Sequence, residues 1–263
     1  MAVMNMKMNL PRAYAHSLSR RGINQTKKIL ELGCGEGMHA YVLSKQRSNE
    51  VIGIDSSKID IETCKRRYPD IDFRMMSADS LQFENNEFDE IYSLDVFEHL
   101  DNLEKCIKEC SRVLKKRGKL IVNVPAERSE EWLLKIRPSY FEEIHHVRIF
   151  RNNDLEEILG KYGFKCILKK PKDFLDHIEL YYRFTQTKKS SSQLSIGRWR
   201  DSLRSLIVGI SMAYFDRSWV FNTPFKYFPI WIITLPVGSV INFIGNKYFP
   251  KSKYYEFVKT SNN

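Results

Sequence analysis

Ile29-Leu30-Glu31-Leu32 is a short apolar run that opens directly into Gly33-Cys34-Gly35-Glu36-Gly37, with three glycines at alternate positions. A strand feeding a glycine turn at the mouth of a helix is the first unit of a parallel α/β sheet, and the missing side chains let backbone amides approach a ligand without clash. The spacing narrows the ligand. A dinucleotide turn wants G-x-G-x-x-G or A, but the third slot here falls on Met38, a bulky residue where close helix packing wants none. The pattern is instead E-x-G-x-G-x-G, with the acid Glu31 two residues before the first glycine.

The segments that follow keep the spacing of alternating strands and helices. Val51 to Asp55 is an apolar strand ending in an acid 22 residues beyond Gly33, where a second strand places a carboxylate on ribose hydroxyls. Ser56-Ser57 supply a helix N-cap, the helix runs to Arg67, and Tyr68-Pro69-Asp70 ends it. Asp72 to Met76 reads as a third strand followed by the turn Ser77-Ala78-Asp79, and Phe88 to Ser93 as a fourth followed by Leu94-Asp95-Val96-Phe97-Glu98-His99-Leu100. A helix from Asn102 to Leu114, a stop at Arg117-Gly118 and a fifth strand from Lys119 to Val124 complete a doubly wound α/β sheet.

This series resembles the class I S-adenosylmethionine-dependent methyltransferases, over roughly residues 27–187. The E-x-G-x-G-x-G turn is similar to the family's first motif, and Asp95 to Leu100 closely resembles its D-V-x-E-H-L segment. The resemblance implies a Rossmann-like sheet of seven strands and S-adenosylmethionine as cofactor. It assigns the cofactor to Glu31, Gly33, Gly35, Gly37, Asp55, Ser56, Ala78, Asp79 and Asp95, with Asp55 on the ribose and Asp79 on the adenine amine. It also places His99 near the site of methyl transfer.

Residues 126–187 depart from simple alternation. Glu127 to Ile144 is helical in composition and leads into His145-His146, Asp154 to Tyr162 is a helix closed by Gly163, and Phe164 to Lys170 and Glu179 to Thr185 read as strands. By the resemblance, the last two form an antiparallel hairpin and 126–150 is the variable insert that binds the acceptor. Residues 1–26 read as a helical flap near the cofactor, so the expected catalytic domain is 1–187.

Charge separates the remainder. Residues 188–263 hold 11 Lys and Arg against 3 Asp and Glu, whereas 1–187 hold 31 against 29. After a polar stretch at Lys188 to Gln193, apolar residues at Ile196, Trp199, Leu203, Leu206, Ile207, Ile210 and Tyr214 form a helical stripe opposed by Arg198, Arg200 and Arg204. A basic amphipathic helix of this kind lies in a membrane interface. From Tyr227 to Asn246 no residue is charged, although Pro229, Pro236, Gly238 and Asn242 interrupt the run. Residues 188–263 are therefore expected to be a basic, hydrophobic, helical appendage that attaches the enzyme to a membrane by a monotopic or re-entrant segment, with a true span and a soluble cap over the active site as the other readings. Nucleic acid is not expected, because the aromatics sit in apolar runs and not on a polar platform. Nothing in Met1 to Lys28 reads as a signal-peptide core, so the catalytic domain is expected in the cytoplasm. The oligomeric state is left open.

The five cysteines form no C-x-x-C pair, so no zinc site or other metal is expected. If the acceptor is a hydroxyl, a base takes its proton, and imidazole titrates in the right range. The expected base is His145 or His146, then His99, with Glu142, Glu143 or Asp95 as the orienting acid. The expected reaction is O-methylation of a glycan or lipid-linked sugar at the membrane face, as in polysaccharide biosynthesis. The alternatives are a prenylated quinone-type phenol as acceptor, or a non-catalytic scaffold that keeps the fold.

Overall fold

The computed structural model describes residues 26–46, 49–172, 244–248 and 250–260. Seven strands form one sheet: β1 (Lys28–Leu32), β2 (Glu50–Asp55), β3 (Asp72–Met75), β4 (Phe88–Leu94), β5 (Leu114–Pro125), β6 (Phe164–Lys172) and β7 (Ser252–Lys259), in the order β3-β2-β1-β4-β5-β7-β6. Strands β1 to β5 are parallel, and β7 runs antiparallel to both β5 and β6. Helices α1 (Met38–Ser44), α2 (Lys58–Arg67), α3 (Leu103–Val113), α4 (Glu127–Ile136), α5 (Tyr140–Ile144) and α6 (Asp154–Gly160) connect them.

The inner strands bury most of their residues, Ile29 to Leu32 in β1, Val51 to Ile54 in β2 and Glu90 to Ser93 in β4, because both faces are covered. Successive residues point to opposite faces, so Ile29 enters one core cluster and Leu30 the other; Val51 and Ile52 divide the same way. Helix α2 starts where the Ser57 hydroxyl accepts the Asp60 amide at 3.3 Å, and it stops at Tyr68, one residue before Pro69. Helix α3 buries Leu103, Cys106, Ile107, Cys110 and Val113, a single stripe at helical spacing, against the sheet.

The final pair of strands corrects the sequence reading. Among the described residues the antiparallel partner of β6 is Ser252–Lys259, a strand the sequence reading did not expect; Glu179–Thr185, expected in that place, lies outside the described residues. A boundary between a domain at 1–187 and an appendage at 188–263 therefore does not hold at the C-terminal end. Strand β7 lies between β5 and β6 with Tyr254 in one core cluster and Tyr255 and Phe257 in the other. Its polar residues are matched inside the sheet: Glu256 accepts from the Tyr254 hydroxyl at 3.0 Å, and the Lys259 ammonium donates to the Leu114 carbonyl at 2.7 Å.

Two local boundaries also differ. The expected helix from Glu127 to Ile144 is broken at Pro138, because the preceding Arg137 is pushed to φ −145° and ψ 85°, off the helix. Arg117-Gly118 does not stop an element; β5 passes through it with a register shift against β4 and Arg117 at φ 63°. All but the last residue of the 1–26 flap, the arginine-bearing stripe and most of the Tyr227 to Asn246 run lie outside the described residues. Among the described residues no helix is long and apolar enough to cross a membrane.

Candidate active site

The strand order reverses between β1 and β4, so their outgoing connections part to opposite sides and leave a crevice at the carboxyl ends. The glycine turn leaves β1 at this point and Asp95 leaves β4. Gly33 has φ +62°, and a Cβ built on it would stand 2.5 Å from Val96 Cγ2, so only glycine lets the turn after β1 pack on the segment after β4. Gly35 has φ +48° with nothing within 4 Å of its own Cβ position: bare backbone faces open space there. Gly37, also at positive φ, precedes α1.

Acidic side chains frame the turn. Asp55 Oδ2 accepts from the Gly35 amide at 3.0 Å and Oδ1 from the Ser57 amide at 2.9 Å, which fixes the turn to the end of β2. Each carboxylate oxygen keeps a second lone pair, so these bonds leave acceptor capacity for a ribose. Glu31 is buried with Oε1 2.9 Å from Nδ1 of the buried His39, while its Oε2 has no hydrogen-bond partner among the described residues. An open, positive-φ backbone beside an orphaned buried carboxylate oxygen fits a ligand that carries both a nucleoside and an ammonium group. Ala78 is buried and Ser56 exposed at the ends of the neighbouring strands. Asp79 accepts from the Ser77 hydroxyl at 2.6 Å and faces Lys105 at 3.6 Å, and the Ser77 bond is the main reason its carboxyl titrates below the ordinary range. Asp95 sits at φ 55°, an uncommon conformation for a non-glycine residue, with its carboxylate held by the Asn123 side chain at 2.8 Å.

Beyond Asp95 a 3₁₀ turn, Phe97–His99, meets the loop after α5. The Val147 amide donates to the Glu98 carbonyl at 2.9 Å, and Arg148 donates to the carbonyls of Leu100 and Asp101. This stitching brings the His99 and His146 rings to 4.6 Å, edge to face. His99 Nδ1 lies 3.0 Å from the His145 carbonyl oxygen. A carbonyl only accepts, so Nδ1 carries the proton and Nε2 keeps its lone pair. His146 Nδ1 lies 2.7 Å from Glu130 Oε2 on α4, both side chains being nearly buried, which likewise leaves Nε2 for a ligand. Burial, opposed in part by the bond to His145, holds the His99 imidazole below its usual pKa. Glu98 is 1% exposed, and neither carboxylate oxygen has a hydrogen-bond partner among the described residues. Burial first, then the charges of Asp95 and Glu130, push its carboxyl well above the ordinary carboxylate range. A carboxylate oxygen of Glu98 and a ring nitrogen of each of His99 and His146 lie within 4.8 Å of one another.

Of the residues singled out in the sequence, the structure joins Gly35 to Asp55 and His99 to His146, a grouping the sequence did not give. Of the adjacent pair, His146 faces the cluster, whereas the His145 ring is exposed at a left-handed helix C-cap and contributes its carbonyl. The carboxylate on the His146 ring is that of Glu130, which was not among the expected acids Glu142, Glu143 and Asp95; Glu143 is engaged by Arg137 and Ser139, and Asp95 by Asn123. Glu130 lies 16 residues before His146, and no local spacing ties the two. Glu98 was legible only as part of a motif, and that its oxygens have no partner among the described residues required the fold.

Residues 30–122 match the family described as a methyltransferase domain. The chain is 32% identical over 99 residues to the ubiquinone biosynthesis O-methyltransferase of Pelagibacter ubique, covering 36% of this chain and 40% of that one. It is 32% identical over 97 residues to the demethylmenaquinone methyltransferase of Thermotoga maritima, covering 36% and 42%. The chain spans about half or less of the length of these curated relatives. Phosphoethanolamine N-methyltransferase 2 of Haemonchus contortus, solved with S-adenosyl-L-methionine, superposes with a TM-score of 0.60 over 96% of this chain and 54% of that chain at 18% identity, a likeness of fold alone. Residues 30–122, which hold the glycine turn, Asp55 and the crevice, are thus a methyltransferase domain, and the comparisons support a class I S-adenosylmethionine-dependent methyltransferase with S-adenosylmethionine as cofactor.

Proposed function

We propose that this chain transfers a methyl group from S-adenosylmethionine to a hydroxyl of a small molecule, and that the hydroxyl is activated at His99 and His146. The bound cofactor supplies a methyl on a sulfonium, an electrophile that needs no further activation. Glu31, Gly33, Gly35, Gly37, Asp55, Ser56, Ala78, Asp79 and Asp95 would hold it, and Val96 packed on Gly33 brings the histidine-bearing segment against the same turn. One observation carries the reading: two imidazoles at the carboxyl end of β4, each with Nδ1 committed and Nε2 available. An alcohol holds its proton near neutral pH, so an oxygen nucleophile needs such a partner, and holding the two in line supplies much of the remaining rate.

The acceptor we favour is a glycan or lipid-linked sugar delivered at a membrane. The basic, aromatic-rich sequence between β6 and β7 supports this, because its two ends are Lys172 and Ser252, paired beside Pro125 at the ligand edge of the sheet. A second reading, a quinone-type phenol, is favoured by the names of the relatives from P. ubique and T. maritima.

His146→Ala should lower turnover roughly 100-fold while the affinity for S-adenosylmethionine, measured by calorimetry, stays put. His145→Ala should be nearly silent, since the backbone carbonyl remains. Lipid extracts incubated with cofactor bearing a deuterated methyl identify the acceptor by mass. Label on a nitrogen or carbon of the product, and not on oxygen, would overturn the hydroxyl reading.

A further inference from the structure

We propose that His39 is a positioning residue for the cofactor, holding the Glu31 carboxylate under the glycine turn so that Oε2 meets the ammonium of S-adenosylmethionine; this deepens the reading in which Glu31 holds the cofactor and rests on it. His39 Nδ1 lies 2.9 Å from Glu31 Oε1, and the two side chains are only 2% and 5% exposed. An ionised carboxylate only accepts, so Nδ1 carries the proton and donates it. Oε2 of the same carboxylate is buried and has no hydrogen-bond partner among the described residues. A buried carboxylate satisfied on one oxygen alone is costly, and an ammonium removes that cost at the other.

The fold prepares this pair. Gly37 turns the chain at φ 78° and α1 begins at Met38, so His39 is its second residue, with the Cβ tilted back toward the end of β1. Glu31 shares a face of β1 with Ile29, whose core cluster includes Ala40 and Leu43 of α1, and it pairs in register with Tyr92 on β4. The Tyr92 ring stands edge to face with the His39 ring at 5.1 Å and closes one side of the imidazole. Its hydroxyl donates to Glu90 at 3.0 Å, and Lys27 donates to the other Glu90 oxygen at 2.6 Å, so these groups serve a different acid. Burial first, then the Glu31 charge, push the Cys34 thiol in the turn upward, which keeps it neutral and leaves Glu31 without a thiolate competing for a cation.

The two acids at the turn are thereby set for different ends of one ligand. Asp55 is held by the Gly35 and Ser57 amides and keeps lone pairs for neutral hydroxyls. Glu31, fixed by one imidazole N–H, offers its remaining oxygen to a cation. His39 touches no reacting atom in this arrangement. Its loss therefore appears in affinity for ligands that carry the amino-acid end, and not in affinity for the nucleoside.

Calorimetry on the full-length protein with two ligands separates positioning from structure. S-adenosylhomocysteine and methylthioadenosine share the nucleoside and a neutral thioether, and only the first carries the ammonium. His39→Leu, similar in size but without a donor, should weaken S-adenosylhomocysteine at least 10-fold, about the worth of a hydrogen bond to a charged group, and leave methylthioadenosine nearly unchanged. Glu31→Gln should match it, and the double variant should lose no more than either, because the two side chains act as one unit. His39→Asn, whose amide N–H reaches the place of Nδ1, should restore most of the affinity, whereas His39→Gln, whose amide falls at the place of Nε2, should not; this polar pair also carries the test if His39→Leu does not fold. Equal weakening of both ligands in His39→Leu, or equal affinity in the Asn and Gln variants, would overturn the proposal. The two readings fail separately: unchanged S-adenosylhomocysteine affinity in Glu31→Gln removes Glu31 from the cofactor site and His39 with it, whereas a loss in Glu31→Gln without one in His39→Leu rejects His39 alone. Neither result touches methyl transfer to a hydroxyl.

Discussion

At the scale of single residues, Gly33 and Gly35, two positions apart, make opposite demands. Gly33 is closed by Val96, and Gly35 is open. Gly33→Ala should destabilise the fold, because the added methyl stands 2.5 Å from a valine side chain at φ +62°, and left-handed strain alone costs about 1–2 kcal/mol. Gly35→Ala meets only that strain in the free protein. With the cofactor on this turn as proposed, its methyl would take up cofactor space, so thermal unfolding should shift little while calorimetric affinity for S-adenosylmethionine falls at least 10-fold. Equal loss of stability in both variants would mean that Gly35 serves the turn and not the ligand. The turn was legible in sequence because its chemistry is local: strand, glycine, glycine and acid fall within one βα unit. The histidine cluster was not, since Glu98, Glu130 and His146 come from three elements and meet through long-range contacts such as the Val147 amide on the Glu98 carbonyl and Arg148 on the Leu100 and Asp101 carbonyls.

At the scale of elements, β1 and β2 were readable as apolar runs bounded by turn residues, and β3 to β5, which carry charged residues such as Asp72, Arg74 and Glu90, from their place in the strand and helix alternation that a parallel sheet requires. Strand β7 was not. Ser252 to Lys259 mixes Tyr, Phe and Val with Lys and Glu, and it follows a long stretch with no sheet signal, so its composition reads as part of the basic tail. Inside the sheet the same residues are paired: Lys119 lies 3.8 Å from Glu256, and the Lys172 ammonium sits 4.1 Å over the Tyr254 ring. A strand with neighbours on both sides belongs to the core. Tyr255, 1% exposed and stacked on Phe257 at 5.8 Å, reports this directly. Tyr255→Ala should cost about 3–5 kcal/mol, the range for deleting a buried aromatic ring, seen as a fall in the denaturant midpoint with little change in slope. A loss under about 1 kcal/mol, ordinary for a surface position, would place Ser252–Lys259 outside the cooperative core.

At the scale of the whole molecule, the register of the last two strands decides what the basic, aromatic-rich sequence can be. Lys172 pairs with Ser252, and the Lys251 amide donates to the Lys172 carbonyl at 2.9 Å, so the chain leaves β6 and re-enters β7 at neighbouring points. Everything from 173 to 250 is thus an insertion into a hairpin that a short turn could close, rooted at the edge where the glycine turn and Glu98 lie. Truncation before 252 and excision of the insertion should therefore differ sharply. Ending the chain at 193 removes β7, exposes the flank of β5, and should give an unfolded or aggregated product. Replacing 176–247 with a short Gly/Ser linker keeps every strand pairing, because two paired antiparallel residues are only about 5 Å apart, and should give a folded protein that binds S-adenosylmethionine normally. If the insertion attaches the enzyme to its acceptor's membrane, the excised protein should no longer sediment with anionic liposomes. The full-length protein should sediment, and salt should release it only in part, since charge attraction is screened and apolar burial is not. Full-length protein that stays in the supernatant at low salt would reject membrane delivery and leave the insertion as a cover over the acceptor side of the crevice.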